Sequence, residues 1–160
     1  MERGAKATMR TGWCSAQTSI ARKWRAAFRF FWNERPINKS GGADFGYMAA
    51  SAGYVVIIQD VRGRFTSEGD WYPFKFESHD GYDTVAWAAA LPYSNGKVGM
   101  WGGSYVGATQ MLTATEHPPH LAGILPVVTA SNYHSNWTYQ GGAFEQWFNE
   151  SWTSGLAQDT

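Results

Sequence analysis

The chain has 160 residues, 44% hydrophobic and 16% aromatic, enough for one domain with a true core and too apolar for a disordered segment. One cysteine, Cys14, excludes an internal disulfide framework and argues against a cysteine-based zinc site; no apolar run approaches the roughly 20 residues of a membrane span. Formal net charge is zero, yet residues 1–40 carry nine Lys/Arg against two acids while the remainder carries four against eleven, so the two parts differ in character.

Residues 1–35 show no Val/Ile/Thr alternation and do not read as the start of an α/β domain. Ile20, Trp24, Ala27, Phe28 and Phe31 fall at helical spacing, with Arg22, Lys23, Arg25 and Arg29 between them, which predicts a basic amphipathic helix. Three readings stay open for this segment: a transit-type leader, an arm for a membrane surface or nucleic acid, or non-native, disordered sequence. No continuous apolar stretch of the kind that drives secretion is present, which favours the cytoplasm.

Residues 36–130 read as an α/β core. Gly41-Gly42 makes a turn, and Phe45–Ala52 reads as a short helix. Gly53–Asp60 is the best strand, its continuous β-branched run fitting a parallel strand buried on both faces. A long loop from Val61 to Ser78 follows, of the length that often carries function. Asp80–Ala90 reads as a helix with Asp80 as N-cap, Asp83 three residues on and Pro92 past its end. After a turn at Asn95-Gly96 come a strand at Lys97–Trp101, a helix at Tyr105–Thr115, a Pro118-Pro119 break and a strand at Leu121–Val128. This order predicts a parallel, doubly wound sheet with flanking helices. Residues 131–160 turn aromatic and polar, with Tyr133, Trp137, Tyr139, Trp147 and Trp152.

At the junction of the Lys97–Trp101 strand and the Tyr105–Thr115 helix lies Gly102-Gly103-Ser104-Tyr105-Val106-Gly107. A serine at a glycine-padded strand-to-helix turn is a nucleophile elbow: the tight turn lifts the hydroxyl clear of the sheet, and the helix N-terminus favours developing negative charge. Ser104 is the candidate nucleophile and the Tyr105 N–H a candidate oxyanion donor. The pattern departs from the strict form, because Val106 stands two residues after the serine and the glycine follows one later. The other histidines and acids read as structural. His117 and His120 flank the proline turn as surface residues, with no cluster to make them a metal pair. Asp60 and Arg62 read as a loop anchor, Asp83 and Trp87 as helix and core residues, and Glu68 and Asp70 as solvated acids.

The elbow, together with Gly53-Tyr54, Gln59-Asp60-Val61-Arg62-Gly63, Ser67-Glu68-Gly69, Asp83-Thr84-Val85-Ala86-Trp87 and Asn95-Gly96-Lys97-Val98-Gly99-Met100, resembles the Xaa-Pro dipeptidyl-peptidase and cocaine-esterase-like (CocE/NonD) hydrolases over residues 36–148. The resemblance implies a partial α/β-hydrolase fold with the start of a helical cap at 131–160. It implies acyl transfer through Ser104, an ester, amide or peptide substrate, no cofactor, no metal and no nucleic acid partner. It places Trp137 in the acyl pocket. The family's second oxyanion donor, a tyrosine, falls where this chain has Ile37, in Pro36-Ile37-Asn38-Lys39. The family's triad Asp and His lie further along than this sequence runs, so the chain is expected to be an N-terminal portion of the catalytic core and inactive alone. The competing expectation is a non-catalytic module that uses its basic N-terminal helix to bind membrane or nucleic acid.

Overall fold

The computed structural model describes residues 2–10, 14–20, 28–35 and 43–158. Six strands make one sheet in the order β1-β2-β4-β3-β5-β6. They are β1 (Glu2–Thr8), β2 (Cys14–Ile20), β3 (Phe28–Arg35), β4 (Val55–Asp60), β5 (Ser94–Gly103) and β6 (Leu121–Val127). Helices α1 (Ala43–Ser51), α2 (Glu77–Ala89) and α3 (Tyr105–Thr115) fall between strands. The chain then forms a single wide turn at His134–Thr138, a two-residue pair β7 (Tyr139–Gln140) and β8 (Ala143–Phe144), and α4 (Gln146–Ala157).

The β-branched run of β4 dictates the layering. Successive side chains on a strand point to opposite faces, and Val55, Val56, Ile57 and Ile58 are all at most 1% exposed, so both faces must be covered. Val55 and Ile57 pack with Val85 and Ala88 of α2 and with Val98 and Met100 of β5. Val56 and Ile58 pack on the other face with Ala49 of α1 and Trp101. Full burial of each such side chain is worth about 1.5–3 kcal/mol, so these four residues make a large share of the core. Trp87 packs against the first cluster, as expected.

The expected helix over Ile20–Phe31 is corrected. Ile20 closes β2, and Phe28–Arg35 is a strand running parallel to, and between, β4 and β5; Trp24 and Ala27 lie outside the described residues. The apolar spacing fits a helix, but Phe28, Phe30, Phe31 and Trp32 are also strong strand formers, and two flanking strands supply backbone partners on both sides. The sheet is also not parallel throughout: β1 pairs with β2, and β2 with β4, in antiparallel fashion. An antiparallel edge on a parallel sheet tolerates the small and polar residues that hid these strands. Just past β1, the Arg10 N–H and Nε each lie 2.7 Å from the Asp83 carboxylate, tying this end of the basic segment to α2.

The N-cap at Asp80 is corrected too. Helix α2 starts at Glu77, behind Phe76, and Asp80 lies within its first turn. Its buried carboxylate holds Arg62, with Nε donating at 2.8 Å and the Arg62 NH2 group on the other oxygen. The turn at Asn95-Gly96 lies inside the first residues of β5: Gly96 has φ +76°, and the Lys97 N–H bonds Asn95 Oδ1.

Candidate active site

The four parallel strands end on one side of the sheet, and β5 runs there directly into α3 with Ser104 as the hinge. The backbone of Ser104 is at φ +57°, ψ −124°, a conformation an L-residue adopts only when its surroundings impose it. The surroundings are identifiable. The Ser104 N–H bonds the Val127 carbonyl at 2.9 Å, and the Ser104 carbonyl accepts from the Gly107 and Ala108 N–H groups. A Cβ at Gly103 would stand 3.3 Å from the Val127 oxygen, and one at Gly107 would stand 2.9 Å from the Thr129 Cβ. Gly107 therefore does the work that the strict motif gives to the position before it: it lets α3 lie against the end of β6. Ser104 itself is exposed, at the N-cap of α3, and Tyr105 supplies the first N–H of that helix.

Ser104 opens onto a cavity of about 420 Å³, part of it open to solvent, lined with Phe74, Tyr133, Trp137, Phe148, Asn149 and Trp152. Phe74, at the end of the long loop, is the centre of its wall. Its ring stacks on Tyr105 (4.6 Å between centroids), Tyr133 (5.2 Å) and Trp152 (6.0 Å), and Trp137 tilts against it at 6.0 Å. Such contacts add roughly 0.5–1.5 kcal/mol each beyond area burial, so they tie together three segments distant in sequence. The loop is held from below. Ser67 Oγ donates to the Asp60 carbonyl at 2.7 Å, and Arg64 donates to the Leu156 carbonyl at the end of α4 at 3.0 Å. Gly63, at φ +70°, has no room for a side chain, since a Cβ would meet the Trp71 nitrogen at 2.2 Å.

Behind Tyr105 lies a buried acid. Glu77 accepts the Tyr105 hydroxyl, and its other oxygen takes the Phe76 N–H at 3.0 Å. Trp71 Nε1 in turn donates to the Tyr105 oxygen at 3.4 Å. Burial raises the Glu77 pKa above its ordinary 4.5, while the hydrogen bonds from Tyr105 and the backbone pull it the other way. Burial likewise raises Tyr133, with the Glu77 charge adding to the rise.

Of the residues singled out from sequence, Ser104, Tyr105 and Trp137 come together around this cavity. Ile37 lies outside the described residues. None of the four histidines lines the cavity. His79 pairs with Glu116 at 3.2 Å, His117 follows the far end of α3, His120 faces the Gly96 carbonyl at 3.0 Å, and His134 packs on Tyr139. Glu68 and Asp70 are exposed. Arg62 is anchored by Asp80, and Asp60 accepts the Thr66 hydroxyl at 3.1 Å. Phe74 and Glu77 carried no sequence signal of a site role. The nearest to one was their position in a long loop with fixed glycines, just before a helix.

A family model described as X-Pro dipeptidyl-peptidase (S15 family) matches residues 5–160. The cocaine esterase of Rhodococcus sp. (strain MB1 Bresler) is 40% identical over 92 residues, which is 57% of this chain and 16% of that enzyme. A CocE/NonD family hydrolase from Staphylococcus aureus superposes with a TM-score of 0.87 at 24% identity, over 99% of this chain and 32% of that one. An α-amino acid ester hydrolase superposes at 0.75 and 26% identity, over 91% of this chain and 28% of the other. The chain thus spans about a sixth of the curated relative and about a third of the solved structures, and its sheet order and helix placement are those of an α/β hydrolase. With the model running from the first strand to the end of the sequence, the chain belongs to the X-Pro dipeptidyl-peptidase (S15) family of hydrolases.

Proposed function

We propose that Ser104 is the nucleophile of a serine hydrolase that cleaves an ester or amide through an acyl-enzyme. In this reading the Ser104 oxygen attacks the substrate carbonyl carbon as its proton passes to a general base. The carbonyl oxygen takes the negative charge beside the Tyr105 N–H at the start of α3. The tetrahedral species then collapses, the alcohol or amine leaves with a proton, and water releases the acid by the reverse sequence. The scheme uses no metal or cofactor. Phe74, Tyr133, Trp137 and Trp152 offer flat apolar surface to the acyl group, which favours a small ester, amide or peptide with an apolar acyl part. The observation that carries the reading is the backbone of Ser104: a non-glycine residue held at φ +57° where a strand meets a helix, at the mouth of an aromatic cavity.

Among the described residues, none of the four histidines lines this cavity, and we expect Ser104 in the 160-residue chain to react slowly. The test is labelling with a fluorophosphonate probe beside Ser104→Ala. Slow labelling that maps to Ser104 and vanishes in Ser104→Ala is the expected result. Labelling that survives Ser104→Ala would remove Ser104 as nucleophile. Rapid labelling of Ser104 would show instead that a base within these residues reaches it.

A further inference from the structure

Gln110 lies on α3, six residues after Ser104, with 0% of its surface exposed. Its carboxamide reaches both strands that carry the elbow. Nε2 donates to the Gly102 carbonyl on β5 at 3.0 Å and to the Val106 carbonyl at 2.9 Å, while Oε1 accepts the Leu125 N–H of β6 at 2.9 Å. Both amide hydrogens and the oxygen are used, so the group meets its hydrogen-bonding needs inside the core. A methionine would fill much the same volume with far less desolvation cost, so a polar group at this depth calls for a local reason.

The reason lies at Ser104. A strained backbone persists only where the structure around it over-determines it. The helix leg of the elbow is held by the Gly107 and Ala108 N–H groups, and its hinge by Val127. Gly102 is the strand leg, two residues before the serine; as a glycine at φ +139° it has a wide range of conformations open to it. Gln110 holds that leg to α3 and holds β6 to the same point.

We propose that Gln110 is a positioning residue for Ser104: its carboxamide clamps Gly102 of β5 and Leu125 of β6 to α3 and so fixes the strand leg of the elbow. The inference rests on the reading of Ser104 as nucleophile for its functional meaning, but its test does not need a catalytic turnover. Amide hydrogen exchange is measured on the full chain for the wild type, Gln110→Met, Gln110→Glu and Thr113→Val. Thr113 is also buried on α3 but bonds the Glu77 carbonyl at 3.5 Å, away from the elbow.

Exchange at Ile57 and Ile58 of β4 serves as the internal reference for overall stability. In Gln110→Met, Leu125 and Ser104 are expected to exchange at least tenfold faster relative to that reference. In Thr113→Val all these amides should move together. At about pH 4, where burial keeps the acid neutral, Gln110→Glu retains the shape and the acceptor for Leu125 and donates one hydrogen bond to the Gly102 or Val106 carbonyl, so Leu125 should return to within about threefold of the wild-type ratio at that pH. This rescue is something mere space-filling does not give. Leu125 and Ser104 moving only with the reference, or a glutamate no better than methionine at Leu125, would overturn the clamp. If Gln110→Met does not fold, Gln110→Leu takes its place beside Gln110→Glu, and the same two outcomes are read. Labelling of Ser104 is scored separately, so failure of the clamp and failure of the nucleophile reading remain distinguishable.

Discussion

Glu77 and Arg62 show how much of the site's support is electrostatic and buried. The Glu77 pKa is raised, chiefly by burial, so its folded-state value lies above its unfolded one near 4.5. The stabilisation linked to its protonated form is therefore complete below the unfolded value and is lost as pH rises through the folded value. Glu77→Gln does not titrate. Its stability relative to wild type should improve as pH is taken from 4 to 8, read as urea midpoints along that series; a difference that stays flat would contradict the assignment. The Arg62–Asp80 pair behaves differently, because each partner is buried and neutralises the other. Removing one partner strands the other charge, at a cost of about 3–5 kcal/mol for a buried pair. Arg62→Met alone should lose stability on that scale in denaturant unfolding, and Arg62→Met with Asp80→Leu should recover most of it.

At the scale of elements, the contact of α3 with β6 sets where the nucleophile stands. Gly107 is the point of closest approach, and a Cβ there would crowd both the Thr129 side chain and the Val127 backbone oxygen at 3.2 Å. Gly155 on α4 is its natural control, since a Cβ there meets nothing within 4 Å. Both sites gain about 1 kcal/mol of helix propensity on replacement by alanine. The difference between Gly107→Ala and Gly155→Ala therefore isolates the clash, expected at about 1–3 kcal/mol in favour of Gly155→Ala. Equal unfolding midpoints would mean that α3 shifts freely. These elements were legible in sequence for simple reasons. The α3 bounds follow from the elbow on one side and the double proline on the other, and β4 is an unbroken β-branched run. Strands β1, β2 and β3 escaped because small, charged and aromatic residues carry them, and arginines spaced among aromatics imitate an amphipathic helix. For β2 a usable signal did exist in the alternation Cys14, Ala16, Thr18, Ile20 against Ser15, Gln17, Ser19.

For the molecule as a whole, the cavity exists because three distant segments meet: the loop after β4, the elbow and residues 133–152. Ser104 could be picked out beforehand because it sits in a local motif, and Trp137 because the family resemblance placed it in the acyl pocket. Phe74 could not, since its role depends on which rings converge on it, and that is a property of the assembled fold. Phe74 also stands at φ +63°, so it combines a stabilising ring with an unfavourable backbone. The two contributions have opposite signs and can be separated by paired substitution. Phe74→Ala removes the stacks on Tyr105, Tyr133 and Trp152 but keeps the left-handed strain. Phe74→Gly removes both. Because the ring is only half-buried, truncation to alanine should cost about 2–3 kcal/mol, below the 3–5 kcal/mol of a fully buried phenylalanine. Left-handed backbone costs a residue with a Cβ roughly 1–2 kcal/mol, so Phe74→Gly should be the more stable of the two variants by about 1 kcal/mol despite glycine's greater freedom when unfolded. Urea unfolding gives that difference, and near-ultraviolet circular dichroism reports the loss of ring packing in both. An alanine variant more stable than the glycine one would mean that the loop relaxes out of the left-handed region once the ring is gone. The cavity wall would then be held by the stack itself rather than by the backbone beneath it.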